Sequence, residues 1–139
     1  VGTALLETTQ SYKQIHHMER EMRKIEKLVC GAFVKREIAG QGNTASFGKT
    51  LSLHRNRIAR WVEVKDSFGK NAIELEISLA GWNTPTTRSR LNAVLTLLEY
   101  PYRVHTVKGQ PYLGNWKIPT DEFFRVDAYL MQSREAWRD

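Results

Sequence analysis

Apolar residues recur at helical spacing near the start of the chain and at strand spacing through much of the rest. Ile15, Met18, Met22, Ile25 and Val29 follow one another at steps of 3, 4, 3 and 4, an a/d stripe over about two heptads. Leu28 widens the stripe, and charged residues fill the positions between. Ser11 and Gln14 supply an S-x-x-Q capping pair ahead of it, which satisfies amides left over at a helix start. The pattern predicts one long amphipathic helix over Tyr12–Cys30. Gly31 ends it, or the segment AFVKREI carries it on past a kink. Two heptads rarely hold a coiled coil alone. The stripe therefore packs on the chain's own sheet or pairs with a second copy.

Gly40-Gln41-Gly42-Asn43 is a turn or linker signal, and after it the period changes to two. Leu51 and Leu53 alternate with Ser52, and His54–Arg57 reads as a turn. Ile58, Arg60, Val62 and Val64 then share one face, with Ala59, Trp61 and Glu63 on the other. Beyond a turn at Asp66–Asn71, Ile73, Leu75, Ile77 and Leu79 alternate with Glu74, Glu76, Ser78 and Ala80, the clearest half-buried strand. Thr84-Pro85-Thr86-Thr87 leads into a helix with Thr86 or Thr87 as its cap. Leu91, Val94, Leu95 and Leu98 give that helix its inner face, and Tyr100-Pro101 ends it. Tyr102–Val107 and Tyr112–Ile118 flank a hairpin signal at Lys108–Pro111. Phe123–Met131 fits a strand or a helix equally. The expected fold class is α+β: a small antiparallel sheet, a long N-terminal amphipathic helix and a second helix after the third strand. Residues 1–39 form the helical segment and residues 40–139 a compact β-rich domain.

Composition narrows the class. At 139 residues with 41% apolar content, the chain is long enough for one domain with its own core. No apolar run approaches the roughly 20 residues that span a bilayer. The opening VGTALLETTQ has neither a basic region nor a long apolar one, so it reads as no signal peptide, and no membrane partner is expected. Cys30 stands alone, which excludes an intrachain disulfide, fits a reducing, cytoplasmic setting and reads as a small buried hydrophobe. The net charge of +6 is lopsided: residues 35–70 carry 8 basic and 3 acidic side chains, whereas residues 71–139 carry 8 of each. A basic zone of this kind attracts polyanions.

Enzymatic signatures are weak. Gly42–Thr50 nearly matches a phosphate-binding loop but has five residues where the motif needs four, and TLSLH after it reads as a strand, not the required helix. The histidines, at 16, 17, 54 and 105, are too scattered for a metal site. Glu74 and Glu76 share a strand face, an arrangement far more often solvated than catalytic. No catalytic residue, metal or cofactor is expected. The strongest chemistry lies in Arg55, Arg57, Arg60, Trp61, Trp82, Thr86, Thr87, Arg88 and Arg90. Arginine offers forked donors to phosphate and tryptophan a flat face for stacking, and sheets that bind single strands use both. A Thr-Thr-Arg run at a helix start also presents amides and hydroxyls to an anion. The competing reading is a tryptophan core ringed by solvated arginines.

The segments GNTASF, LHRNRIARW, SLAGWNTPTTRSRLNAVL, YRVHTVKGQPYLGNW and FFRVD, in that order over residues 42–127, resemble a set of small proteins encoded by tailed bacteriophages. Members tend to show G-N-T, L-H-x-N-x-I-A and G-W-x-T-x-T-T-R-x-R-L-N blocks followed by a hairpin. The resemblance implies a compact β-rich domain made in the infected cell. It carries over no catalytic residues. Arg55 departs from the pattern, which often has glycine there, and the N-terminal helix falls outside it. The expectation is a non-enzymatic accessory protein of the host cytoplasm that binds a host protein through Ile15, Met18, Met22, Ile25 and Val29. The alternatives are nucleic acid on the Arg/Trp surface, or a small phosphorylated ligand held by Arg88 and Arg90.

Overall fold

The computed structural model describes residues 22–130, so Ile15, Met18 and the capping pair Ser11 and Gln14 lie outside the described residues. The chain enters on a π-helical turn, Glu26–Cys30, which runs straight into a short α-helix, α1, Gly31–Val34. Gly31 does not stop the helix. The stop comes at Arg36, whose φ of 61° turns the backbone left-handed. Arg36 N–H then donates to Phe33 O (2.9 Å) and Glu37 N–H to Ala32 O (2.8 Å), the paired bonds of a Schellman end.

Strands β1 (Ile38–Gln41), β2 (Thr44–Phe47), β3 (Thr50–Leu53), β4 (Asn56–Lys65) and β5 (Asn71–Ile77) follow as an antiparallel meander. The helix α2, Pro85–Leu97, comes next. Strands β6 (Val104–Val107), β7 (Gln110–Leu113) and β8 (Trp116–Lys117) make a separate three-stranded sheet. The last strand, β9 (Phe124–Arg125), returns to β5 and completes a six-stranded sheet. Phe33 of α1 and Leu91, Val94 and Leu95 of α2 bury their side chains with Leu51, Ala59, Leu75 and Ile77 of the large sheet.

The described residues are thus mostly β, and the α+β expectation is overturned. Two sheets stand where one was expected, the helices are short, and α2 follows the fifth strand, not the third. Of the expected helix over Tyr12–Cys30, residues 12–21 lie outside the described residues, and the described part is a π-turn that runs into the short α1 rather than one regular helix. The missed strands explain much of the difference. Ala39, Gly40, Thr44, Ala45 and Ser46 build β1 and β2 without any apolar alternation to announce them. The turn or linker signal at Gly40–Asn43 is a turn, that of their hairpin, with Gln41 paired to Thr44.

Two local expectations also change. Thr84, not Thr86 or Thr87, caps α2: its Oγ1 accepts from Thr87 N–H at 3.2 Å, and Pro85 opens the helix, where its fixed φ costs nothing and no N–H is needed. On β4, Ile58 leaves the face it was expected to share with Arg60 and is buried, as are Ala59 opposite Ile77 and, in part, Trp61 opposite Leu75. The β6–β7 hairpin forms as expected, with left-handed Lys108 and Gly109 at its tip. Asn92 of α2 clamps it, accepting from Val104 N–H (2.7 Å) and donating to Val104 O (2.9 Å). The ambiguous segment after Phe123 is both things in turn: β9, then a helical turn over residues 126–130.

Candidate nucleic-acid interface

The register of β3 against β4 slips by one residue. Thr50 pairs with Arg60 and Leu51 with Ala59, but Ser52 pairs with Arg57, leaving Ile58 as the extra residue of a β-bulge. In an unbroken strand Arg57 and Arg60 point to opposite faces. Here their partners Ser52 and Thr50 alternate around Leu51, so both arginines stand on the outer face of the sheet. The same bulge turns Ile58 inward, where it is buried beside Ala59.

Arg55 joins them from the β3–β4 turn. His54 and Arg55 occupy the central positions with φ of 51° and 68°, the mirror-image turn that matches strand twist. Glycine adopts that conformation freely, whereas a side chain there is strained, so the departure from glycine at Arg55 holds a guanidinium at the sheet's end at an energetic cost. Across the outer face, Gly40, Ala45 and Ser52 are cross-strand neighbours. The small side chains of Ala45 and Ser52 line a groove of about 690 Å³. Arg55, Arg57 and His54 line one end and Phe47, 63% exposed, the other. Ile38, paired with Phe47, is 81% exposed on the edge strand β1.

The remaining arginines are differently employed. Arg60 Nε donates to Glu76 Oε1 at 2.7 Å, and its guanidinium lies 4.0 Å from the Phe123 ring centre. Arg125 Nε stands 3.3 Å from Glu74 Oε2. The two glutamates are therefore cross-strand counter-ions. Arg88 folds back onto the Asn83 carbonyl and side chain. Thr87 is buried with its hydroxyl against Thr84. The donors at the helix start are thus engaged within the protein: Arg88 and Thr87 bond to Asn83 and Thr84, and Arg90 is drawn into a separate network.

Arg90 is buried at the centre of a polar network. Its Nη1 donates to Glu26 Oε2 (2.9 Å) and its Nε to Thr44 Oγ1 (3.0 Å), while Thr44 donates to Asn43 Oδ1 (2.8 Å). Ser89 adds a bond to Glu26 Oε2 at 2.6 Å. Asn43 Nδ2 in turn lies 3.5 Å from His54 Nε2, so the network reaches the wall of the groove. Cys30 is buried against it; burial first, then the Glu26 charge, pushes the thiol up to about 12, with Arg90 pulling the other way. Burial likewise raises the Tyr100 phenol, helped by its bond to Asp127, and lowers Arg103.

The tryptophans divide. Trp61 donates from Nε1 to Phe33 O at 3.0 Å and stacks on the Phe33 ring with centroids 5.4 Å apart, which makes it a wall of the core and not a free platform. Trp82 is 61% exposed. The described end of the apolar stripe turns inward as well: Val29 is fully buried, and Met22 and Ile25 pack on the core. Thr86, at the start of α2, lines a second cavity with Trp82.

A family model described as the Kyanoviridae Gp96 protein matches residues 22–131. The chain belongs to that family. As a Kyanoviridae Gp96 protein it is a phage protein, in keeping with the motif resemblance, and the match begins at residue 22 and not 42, taking in the π-turn. Neither among curated proteins nor among solved structures does any match the chain. Among the described residues of this Gp96 protein, no helix is long and apolar enough to cross a membrane.

Three residues of this surface escape a reading by motif. Phe47 sits inside the false phosphate-loop match and looks like loop sequence. Asn43 looks like turn punctuation, and His54 like a turn residue without a partner. The signal that unites them is register, which places Asn43 opposite His54 and Phe47 opposite Ile38.

Proposed function

We propose that this phage protein works by binding single-stranded nucleic acid along the outer face of β1–β4. The observation that carries the reading is the bulge at Ile58, which sets Arg57 on the outer face with Arg55, beside a groove floored by small residues and closed by exposed Phe47. Guanidinium groups take the phosphates irrespective of sequence. An exposed phenyl ring stacks on any base. A flexible single strand can lay bases on a flat sheet, whereas the bases of a duplex are already stacked on each other. A host-protein contact through the apolar stripe is the weaker reading, because Met22, Ile25 and Val29 are taken up by the protein's own core. The protein is read as non-enzymatic and as acting inside the infected cell.

Fluorescence anisotropy with labelled single-stranded DNA, duplex DNA and RNA over a range of salt tests the proposal. Binding is expected to favour single strands and to fall steeply with salt. Each phosphate contact contributes about 0.7 to the log–log salt slope for single strands, so Arg55→Ala with Arg57→Ala lowers that slope by about 1.4. No binding at low salt, or an unchanged slope in the double variant, overturns the reading.

A further inference from the structure

Behind the His54–Arg55 turn, on the other side from the groove, lies a cavity of about 380 Å³, within the span of about 300–1,000 Å³ common to small-ligand sites. Its floor is apolar: Leu53, Ile58 and Leu79, all deeply buried. One wall is the exposed indole of Trp82. Asn56 and Thr86 also line it, and the side chain of each can donate and accept. His54 lines both this cavity and the arginine groove, so the two lie next to each other at one turn.

We infer that this cavity takes a single nucleobase from the strand whose phosphates lie on Arg55 and Arg57. The inference rests on the reading of the outer face as a nucleic-acid surface. A nucleobase is flat, apolar on its faces and polar at its edge. The cavity offers the complement: an aromatic wall, an aliphatic floor and lining side chains that donate and accept. Arg55 and Asn56 are consecutive in the chain, with the first in the groove and the second in the cavity. A phosphate on one and a base beside the other are therefore near neighbours along a strand. The bulge contributes directly, since the extra residue Ile58 is part of the floor. The consequence is base preference in a protein whose arginine groove alone is indifferent to sequence.

The test is anisotropy of the full chain against labelled oligo-dA, oligo-dC, oligo-dT and oligo-rU of equal length. The wild type is expected to spread their affinities by about fivefold or more, the size of one base discriminated. Trp82→Ala and, separately, Asn56→Ala are expected to collapse the spread to less than about twofold with the salt slope unchanged. Phe47→Ala is expected to weaken all four together. Trp82 is exposed, so its loss leaves the fold in place, and Asn56→Ala checks the cavity without removing an aromatic ring. Equal affinities in the wild type, or a spread that survives both variants, overturn the cavity while steep salt dependence keeps the groove. No binding to any oligomer overturns both.

Discussion

Glu26 and Arg90 meet at 2.9 Å with each side chain only 4% exposed. The pair ties the π-turn to α2 across 64 residues of sequence. Burying both charges is costly, and removing one leaves the other unpaired in a low-dielectric interior. Glu26→Ala or Arg90→Ala is therefore expected to destabilise the protein by about 3–5 kcal/mol. Glu26→Ala combined with Arg90→Ala is expected to cost less than the sum of the two single losses. Urea denaturation of the four proteins checks this, and strictly additive losses would show that the pair is not coupled.

Arg55 and Glu99 both hold left-handed backbone, at φ of 68° and 63°. Glycine relieves that strain but frees the unfolded chain, and the balance favours Arg55→Gly and Glu99→Gly by about 0.5–1 kcal/mol each. The two differ in function. Only Arg55→Gly is expected to weaken nucleic-acid binding, because Glu99 serves the end of α2, where Tyr100 N–H reaches Leu95 O at 2.9 Å. Denaturation midpoints and anisotropy on the same samples separate stability from binding.

Trp61→Phe removes the donor to Phe33 O and is expected to cost about 1–2 kcal/mol. Trp82→Phe is expected to change stability by less than about 0.5 kcal/mol, as exposed substitutions do. Acrylamide quenching should lose an accessible component in the Trp82 variant and keep it in the Trp61 variant. A quenching profile insensitive to Trp82 would contradict its exposure.

Cys30 and Tyr100 set the alkaline limit. Both are acids whose folded state holds the proton more tightly than the unfolded state does, the thiol up to about 12 from 9.0. Their stabilising effect is complete below the unfolded values and is lost as pH climbs from about 9 towards the folded ones. The denaturation midpoint is expected to fall above pH 9, and less steeply in Cys30→Ala. At neutral pH the native thiol should resist iodoacetamide and react once the chain is unfolded.

Where side chains alternate by hydrophobicity, the sequence reveals the fold. Ile73, Leu75 and Ile77 announce β5, and Leu91, Val94 and Leu95 announce the inner face of α2. Where polar groups are buried, it does not. Thr44 and Ser46 face inward because Arg90 and the Glu37 carbonyl bond their hydroxyls, and nothing local signals those distant partners. Glu26 fails for the same reason: a heptad assigns it to solvent, while a π-turn and Arg90 draw it inside. The arginines of the candidate surface are legible as a cluster. Which of them remain available is not, because Arg57 depends on a one-residue slip and Arg90 on an ion pair far along the chain.

A plain alternating strand could also have presented arginines to Ser52 and Thr50; dropping Ile58 from the sequence would leave Arg57 and Arg60 two apart, facing the same way. With Ile58 present, it is the bulge that keeps the two arginines on one face. What that residue supplies is a methyl-rich partition behind the turn, dividing the end of the sheet into a charged front chamber and an oily back one with His54 as the doorpost between them.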